Sequence, residues 1–289
     1  MLSYQHAFHA GNHADILKHF VLTFVLNSLN KKEKAYTFFD SHSASGIYDF
    51  FDNRLIKTGE AQKGIQALLQ KEEKSLQAPQ EMQPYLNLIK EYAGKNLYPG
   101  SPEIERRLMR KQDFLVLSEL HPQEIENLRR NMNHPLINNP NQPSIQIHNR
   151  NGWEMLKALT PPATKRGAIL VDPSYEENQD YIDATKTICQ INKKWSNGIL
   201  MLWYPLLSHR ESEIQAMLQT ICDSAKSHNE NVEISNIQLE VYSKEEKDLP
   251  RLYGSGMLVI NSPWMLQETS SKVIAYIKSV ISDQFQKED

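Results

Sequence analysis

The chain has 289 residues, of which 40% are hydrophobic and 23% charged, with a formal net charge of −3. That balance supplies a sizeable core and excludes global disorder. An acid-leaning total also excludes a uniformly basic nucleic-acid coat, so contact with nucleic acid has to come from a local patch. The two cysteines, Cys189 and Cys222, have no CxxC or Cys/His spacing around them and read as buried free thiols of a reducing compartment. No secretory leader and no run of 18 apolar residues is read, so a cytoplasmic protein with no membrane partner is expected.

After an arm over 4–11, the spacing of Ile16, Leu17, Phe20, Val21 and Phe24 predicts a helix over 12–30, with Asn12 as its cap and Asp15, Lys18 and His19 off the apolar stripe. Leu22, Leu26 and Leu29 predict a second half buried on most faces. Residues 35–39 read as a short strand ending at Asp40, followed by the small-residue turn Ser41 to Gly46, which is how a doubly wound α/β domain begins. Residues 52–96 are charged and Gln-rich, with helical spacing and no convincing strand, and are expected to be an inserted helical subdomain. The rest, 1–51 and 97–289, forms the main domain. Strands are predicted at 114–118, 145–148, 168–171 and 198–204, with helices over 124–132, 153–159 and 181–194 between them. The alternation implies a parallel sheet with crossover helices. A helix over 211–225, two strands at 233–242 and 255–261 and a last helix over 266–285 suggest an antiparallel edge pair and a closing helix.

The sharpest chemical feature is Asp172-Pro173-Ser174-Tyr175, placed directly after the apolar strand Ile169-Leu170-Val171. Ligands of open α/β sheets sit outside the carboxyl ends of the strands. There the Asp172 carboxylate and the Pro173 carbonyl can each accept a hydrogen bond from an exocyclic amine, while Tyr175 can stack on a base. A helix entry with Asp as cap and Tyr as core would use the same residues. Glu119 ends the second strand, where a carboxylate can accept ribose hydroxyls. Asn151-Gly152 follows the third strand, where the side-chain amide can meet an adenine amine or cap a helix. His42 lies in the first turn. His6, His9, His13 and His19 lack the paired spacing of a zinc helix, and no metal is expected.

These features resemble one family. Asp172-Pro173-Ser174-Tyr175 looks like a variant of the Asp-Pro-Pro-Tyr signature of class I amino-group methyltransferases. More specifically, Leu2-Ser3-Tyr4, His6, the run from Phe8 to Asp15 and Leu17-Lys18-His19 resemble the opening of the bacterial J-type 23S rRNA adenine-N6 methyltransferases. Tyr98-Pro99-Gly100-Ser101-Pro102, Glu119-Leu120-His121-Pro122, Leu202-Trp203-Tyr204-Pro205 and the run from Ser255 to Asn261 extend the resemblance along the chain. It implies a Rossmann-like class I fold, with a seven-stranded, mostly parallel sheet, an antiparallel edge strand and an inserted helical subdomain. It implies S-adenosylmethionine as methyl donor, bound by His19, His42, Ser101, Glu119, Asn151, Gly152 and Asp172. Asp172 would be the catalytic acid with Pro173 and Tyr175, and Tyr4 would contact the RNA. The expected partner is 23S rRNA, protein-free or in an early assembly intermediate.

The chain departs from that pattern in three places. Serines stand where the family prefers glycines in the first turn, Ser174 replaces the second proline, and Asn151 stands where the family usually has Asp. The serines are expected either to crowd the cofactor or to add hydrogen bonds. Candidate phosphate contacts are Lys31, Lys32, Lys34, Arg106, Arg107, Arg110, Lys111, Arg129 and Arg130, with the run from Arg106 to Lys111 favoured because Ser101 would place it beside the cofactor. The alternatives are a DNA adenine-N6 methyltransferase, which the lack of a separate, strongly basic target-recognition domain disfavours, and a non-catalytic nucleic-acid-binding protein linked to use of external DNA.

Overall fold

The computed structural model describes residues 5–74, 77–133, 141–242 and 252–285. Tyr4 therefore lies outside the described residues. A short 3-10 turn, His6–Phe8, leads into helix α1, His13–Asn30. Asn12 caps α1 by accepting a hydrogen bond from the Asp15 amide (2.9 Å). The helix packs against strand and helix neighbours on several sides, and Asp15, Lys18 and His19, predicted to lie off the apolar stripe, are buried with the rest.

The strands are β1 (Thr37–Asp40), β2 (Ile47–Asp49), β3 (Leu97–Pro99), β4 (Phe114–Ser118), β5 (Ser144–His148), β6 (Gly167–Val171), β7 (Ile199–Leu207), β8 (Ile234–Glu240) and β9 (Leu252–Ile260). Seven of them form one sheet in the order β5-β4-β1-β6-β7-β9-β8. β1 pairs in parallel with β4 and β6, and β4 with β5, while β9 runs antiparallel to both β7 and β8. The edge pair is thus antiparallel, as expected, and β9 alone opposes the common direction. β7 continues to Leu207, past the predicted end at Tyr204, because its pairing with β9 runs on to Leu252 across an irregularity at Leu206/Leu207.

The remaining helices are α2 (Asn53–Thr58), α3 (Ala67–Lys74), α4 (Gln83–Ala93), α5 (Ser101–Leu108), α6 (Pro122–Met132), α7 (Gly152–Leu159), α8 (Asn178–Lys194), α9 (Glu211–His228) and α10 (Leu266–Phe285). Among the described residues no helix is long and apolar enough to cross a membrane. Between β2 and β3 the described residues are helices and their connections. These two strands, three residues each and too short to read from sequence, pair antiparallel and close the base of that stretch, with Phe50 N donating to Asn96 O (2.9 Å). α3 packs on α10, and α4 on α1.

Alternation along the strands feeds two cores, one on each face. Phe38, Leu115, Leu117, Leu170 and Met201 face α1 and α10. Phe39, Val116, Ile169, Val171 and Leu202 face α7, α8 and α9. Cys189 and Cys222 are free but only half-buried, on α8 and α9, rather than fully enclosed as the sequence suggested. The two helices pack on each other over one sheet face.

The order of strands reverses between β1 and β6, which opens a crevice at their carboxyl ends. At the other end of this pair, Gly167 lies against Thr37, where an added Cβ would fall 1.8 Å from the Thr37 carbonyl oxygen. Gly167→Ala should therefore cost roughly 2–4 kcal/mol by forcing β1 and β6 apart. Urea unfolding measures this, and a loss below about 1 kcal/mol would contradict the close approach.

Candidate active site

A cleft of about 1030 Å³, open to solvent, lies at this crevice. Its walls come from the turns after four strands: Ser41 to Ala44 after β1, Glu119 to His121 after β4, Asn151 to Trp153 after β5 and Asp172 to Ser174 after β6. Lys18 and His19 of α1 and Gly100-Ser101 of α5 close it. His19, His42, Ser101, Glu119, Asn151, Gly152, Asp172 and Pro173 thus line one cavity.

Each of these is held by the scaffold. The β1 turn is fixed through its serines. Ser41 Oγ donates to Leu170 O (3.0 Å), Ser43 Oγ donates to Asp40 O (3.2 Å) and accepts from Ser118 N (3.2 Å), and Ser45 Oγ bonds the Glu124 carboxylate. The hydroxyls are therefore spent on the scaffold and fasten the turn to β4, β6 and α6. Ala44 takes a left-handed backbone (φ 47°), and its amide donates to Glu119 Oε2 (2.8 Å). Glu119 Oε1 accepts from the His121 amide (2.7 Å), and burial raises its pKa. A carboxylate has about four acceptor sites, so both oxygens keep capacity for a ribose diol.

Asn151 caps α7, its Oδ1 accepting from the amides of Trp153 (2.9 Å) and Glu154 (3.2 Å). The oxygen expected to receive an adenine amine is thus engaged by the helix, and the side-chain amide nitrogen remains. Gly152 is required here because a Cβ would lie 2.0 Å from the Ser41 carbonyl, so the β1 turn and the start of α7 touch backbone to backbone. His42 sits edge-on to Trp153 (4.9 Å) with Nδ1 2.8 Å from Ser41 Oγ, and burial pushes its pKa down to about 4. His19 is fully buried, with Nδ1 2.8 Å from the Tyr98 hydroxyl and Nε2 without a hydrogen-bond partner; burial lowers its pKa to about 3. Both imidazoles are neutral. An orphaned buried nitrogen on a cleft wall is a group that a ligand can satisfy.

The element that sequence reasoning left without a role is Lys18. Its ammonium lies 2.6 Å from Asp172 Oδ2 and 2.8 Å from Asp15 Oδ1, with the lysine side chain only 5% exposed. Burial alone would lower its pKa, but the two carboxylates more than offset that and hold it above its ordinary value. Asp15 is buried too. The Lys18 ammonium and the contact with His6 Nε2 (3.1 Å) outweigh its desolvation and keep it ionised, and it also accepts from the Gly11 amide (2.8 Å).

A second cavity, also open to solvent, adjoins the first. His6, Lys18, Asp172 and Ser174 line both, so Asp172 stands at the junction. Tyr175, Trp203 and Pro205 supply an apolar wall to the second. Tyr175 is buried, its hydroxyl donating to Trp203 O (3.0 Å), with a left-handed backbone (φ 54°) that is costly for a bulky side chain and is held by packing on Tyr181 and Trp203. Among the described residues no group of three or more His, Cys, Asp or Glu is arranged to hold a metal.

The favoured phosphate-binding run is corrected by the structure. α5 starts at the cleft but carries its later residues away from it, so that Arg110 reaches Lys32 O (2.9 Å) and Lys34 O (3.3 Å), before the start of β1. Arg106 is buried on Glu103, Arg107 pairs with Glu91 (2.6 Å) and Arg110 with Asp113 (3.0 Å). Lys31, Lys32, Lys34 and Lys111 are exposed, but at that same far edge; Arg129 pairs with Glu126 (2.7 Å), and Arg130 is exposed. Arg54 of α2 lies near the cleft, paired with Asp52 (2.7 Å), bonding Gln5 (3.1 Å) and approaching the cleft-lining Glu124 (3.8 Å).

Comparison with known proteins agrees with this architecture. The Escherichia coli (strain K12) protein named ribosomal RNA large subunit methyltransferase J is 35% identical over 285 residues, covering 96% of this chain and 94% of its own. The Haemophilus influenzae protein of the same name is 34% identical over 289 residues, covering 97% and 94%. A crystal structure of a Legionella pneumophila protein superposes with a TM-score of 0.81 at 29% identity, over 95% of this chain and 94% of that one. With residues 33–288 also matching the family described as ribosomal RNA large subunit methyltransferase D, RlmJ, the chain belongs to that family.

Proposed function

We propose that the protein transfers a methyl group from S-adenosylmethionine to the N6 amine of an adenine in 23S rRNA. One observation carries the reading: Asp172 lies where two cavities meet. One has the acceptors and close backbone approaches that suit a nucleoside-bearing donor, and the other has aromatic walls that suit a base. The family supports both the reaction and the RNA substrate.

In the first cavity Glu119 would take the ribose diol, Asn151 and Gly152 the adenine edge, and His19, His42 and Ser101 the remaining polar groups. The bound donor supplies an electrophilic methyl on a sulfonium. The protein's work is placement and electrostatics. Lys18 holds one oxygen of Asp172 and fixes the carboxylate plane. The other oxygen and the Pro173 carbonyl would accept the two amine hydrogens and aim the nitrogen lone pair at the methyl. As the nitrogen gains positive charge, the Asp172 carboxylate beside it would stabilise that charge.

An adenine reaches this site only when extruded or unpaired. Tyr175 and Trp203 are the aromatic groups that would receive it, and Tyr4, outside the described residues, would contact the RNA. Stacking contributes on the order of 1–3 kcal/mol per base and offsets much of the unstacking cost. Arg54, with exposed Lys57 and Phe51 beside it, would meet the flanking RNA. The helical stretch 52–96 would act as an inserted unit that frames this mouth. Protein-free 23S rRNA or an early assembly intermediate is the partner this geometry suits, and the reaction would take place in the cytoplasm.

Incubation with labelled donor should place the methyl as N6-methyladenosine at one site in protein-free 23S rRNA, and rRNA from cells lacking the protein should lack that mark. Label entering duplex DNA but not rRNA would overturn the substrate. Asp172→Ala should lower kcat by at least about 10²–10³-fold while the calorimetric affinity for the donor changes less than about tenfold; loss of binding with turnover retained would contradict the role. Lys18→Ala removes the ammonium that holds Asp172 Oδ2. Turnover should fall at least about tenfold while donor affinity changes less. Unchanged turnover would show that Lys18 does not act through Asp172.

A further inference from the structure

RNA is a polyanion, yet the cleft wall carries Glu119, Glu124, Asp172, Glu176 and Asp180, and Lys18, the lysine on that wall, is already held between Asp15 and Asp172. In a chain of net charge −3, the attraction that draws in a phosphate backbone has to arise elsewhere. The opposite end of the sheet supplies it. Four turns lead there into β4, β1, β6 and β7, which are consecutive neighbours in the sheet. Together with the helix end before β7, their residues 109–113, 31–36, 160–166 and 193–198 hold nine lysines and arginines against two acids, of which Asp113 is buried and paired with Arg110. Elsewhere the signs mix, as along α9, where Glu211, Glu213 and Asp223 stand with Lys226; here Glu33 is the one exposed acid of the four turns.

Hydrogen bonds join the turns into one surface. Arg110 donates to Lys32 O (2.9 Å) and Lys34 O (3.3 Å), and Arg166 donates to Lys34 O (2.5 Å) and to Leu29 O. Both guanidinium groups lie over the Tyr36 ring, each 5.5 Å from its centroid, so the turn before β1 is gripped from two sides. Trp195 Nε1 and Asn197 Nδ2 both donate to Lys165 O (3.2 Å), which ties the turn before β6 to the one before β7. Lys31, Lys32, Lys34, Lys111, Lys165 and Lys193 are exposed, and among the described residues none of them is in an ion pair. Fixed backbone with uncommitted ammonium groups suits phosphate oxygens, which lysine meets as a point charge. β1, β4 and β6 are four or five residues long, so this face lies roughly 15 Å from the carboxyl ends of the strands and cannot touch the nucleotide in the cleft.

We propose that this basic face is a second RNA-docking surface, which takes the phosphate backbone of an rRNA segment other than the one whose adenine enters the cleft. This deepens the rRNA reading above and rests on it. Two attachments separated by the depth of the sheet reinforce one another, because docking at the basic end raises the local concentration of the target segment at the cleft. The face carries affinity and salt dependence and leaves donor binding and methyl transfer alone. It therefore favours a large, structured substrate over an isolated hairpin.

The test compares full-length 23S rRNA with a short hairpin containing the adenine that the wild type methylates, measuring binding over about 50–300 mM salt and turnover on each. The variant combines Lys32→Gln, Lys111→Gln and Lys165→Gln, one from each of three turns. The control combines Lys71→Gln, Lys186→Gln and Lys272→Gln, exposed on α3, α8 and α10. At about 150 mM salt the variant should bind full-length rRNA at least about tenfold more weakly, with the slope of log affinity against log salt shallower by about two or more. Its kcat at saturating rRNA, its affinity for S-adenosylhomocysteine and its KM for the hairpin should stay within about twofold of wild type, and the control should match wild type throughout. Unchanged rRNA affinity and salt slope in the variant would overturn the proposal; if that variant also lost a wild-type affinity for phosphatidylserine vesicles, the face would belong to a membrane surface. An equal loss in the control would overturn it too, since net charge alone would then account for the effect. A wild-type protein that methylates neither RNA would instead remove the rRNA reading, and this inference with it.

Discussion

The Lys18 ammonium, buried between Asp15 and Asp172, is the contact on which the site depends. Each of the three charges would be poorly tolerated alone at its depth; together the attractions exceed the desolvation cost, and removing one partner leaves the others uncompensated. The cluster joins α1 to the end of β6 across 154 positions of sequence. It therefore sets the distance between the arm that precedes α1 and the turn that carries Asp172. It also explains why a polar face of α1 is buried in an otherwise apolar helix. The face exists to bring Asp15, Lys18 and His19 to the cleft.

The same economy runs through the neighbouring turns. Glu119 and Asp172 follow the ends of β4 and β6, and each is used twice, once to hold a backbone amide or a side chain of the scaffold and once to face the cleft. The serine hydroxyls that replace glycine freedom in the β1 turn tie that turn to β4, β6 and α6. Gly152 lets the α7 entry lie directly on it. Such a wall is preorganised, because its polar groups are already oriented before a ligand arrives. The adjoining cavity differs in character, with Tyr175, Trp203 and Pro205 offering apolar surface and a strained Tyr175 backbone locked by packing. Donor and acceptor spaces of such different chemistry meeting at one carboxylate are what a methyl transfer between two bound nucleosides requires.

Much of this was legible in the sequence, for identifiable reasons. Strands buried on both faces are continuous apolar runs, so β4, β6 and β7 could be read together with the acids at the ends of β4 and β6, and α10 from its spacing. What depended on pairing across long separations was hidden. Nothing local in Lys18 announces Asp172, 154 positions away, as its partner. Arg106, Arg107 and Arg110 read as a basic patch because sequence shows their charge but not Glu103, Glu91 and Asp113 beside them. β2 and β3 are too short to carry a pattern. For Asn151 the residue type allowed both a helix cap and a ligand contact, and only the direction of its oxygen separates them.

The central claim is that Asp172 divides a donor cleft from a base cavity. It is tested most directly by a crystal structure with a bisubstrate analogue in which the N6 atom of adenosine is linked to the methionine end of the donor's carbon skeleton. The account predicts one nucleoside in each cavity, with the linking nitrogen within hydrogen-bond distance of the Asp172 carboxylate. A ligand whose linker passes elsewhere, or whose second base lies outside the cavity walled by Tyr175 and Trp203, would contradict it.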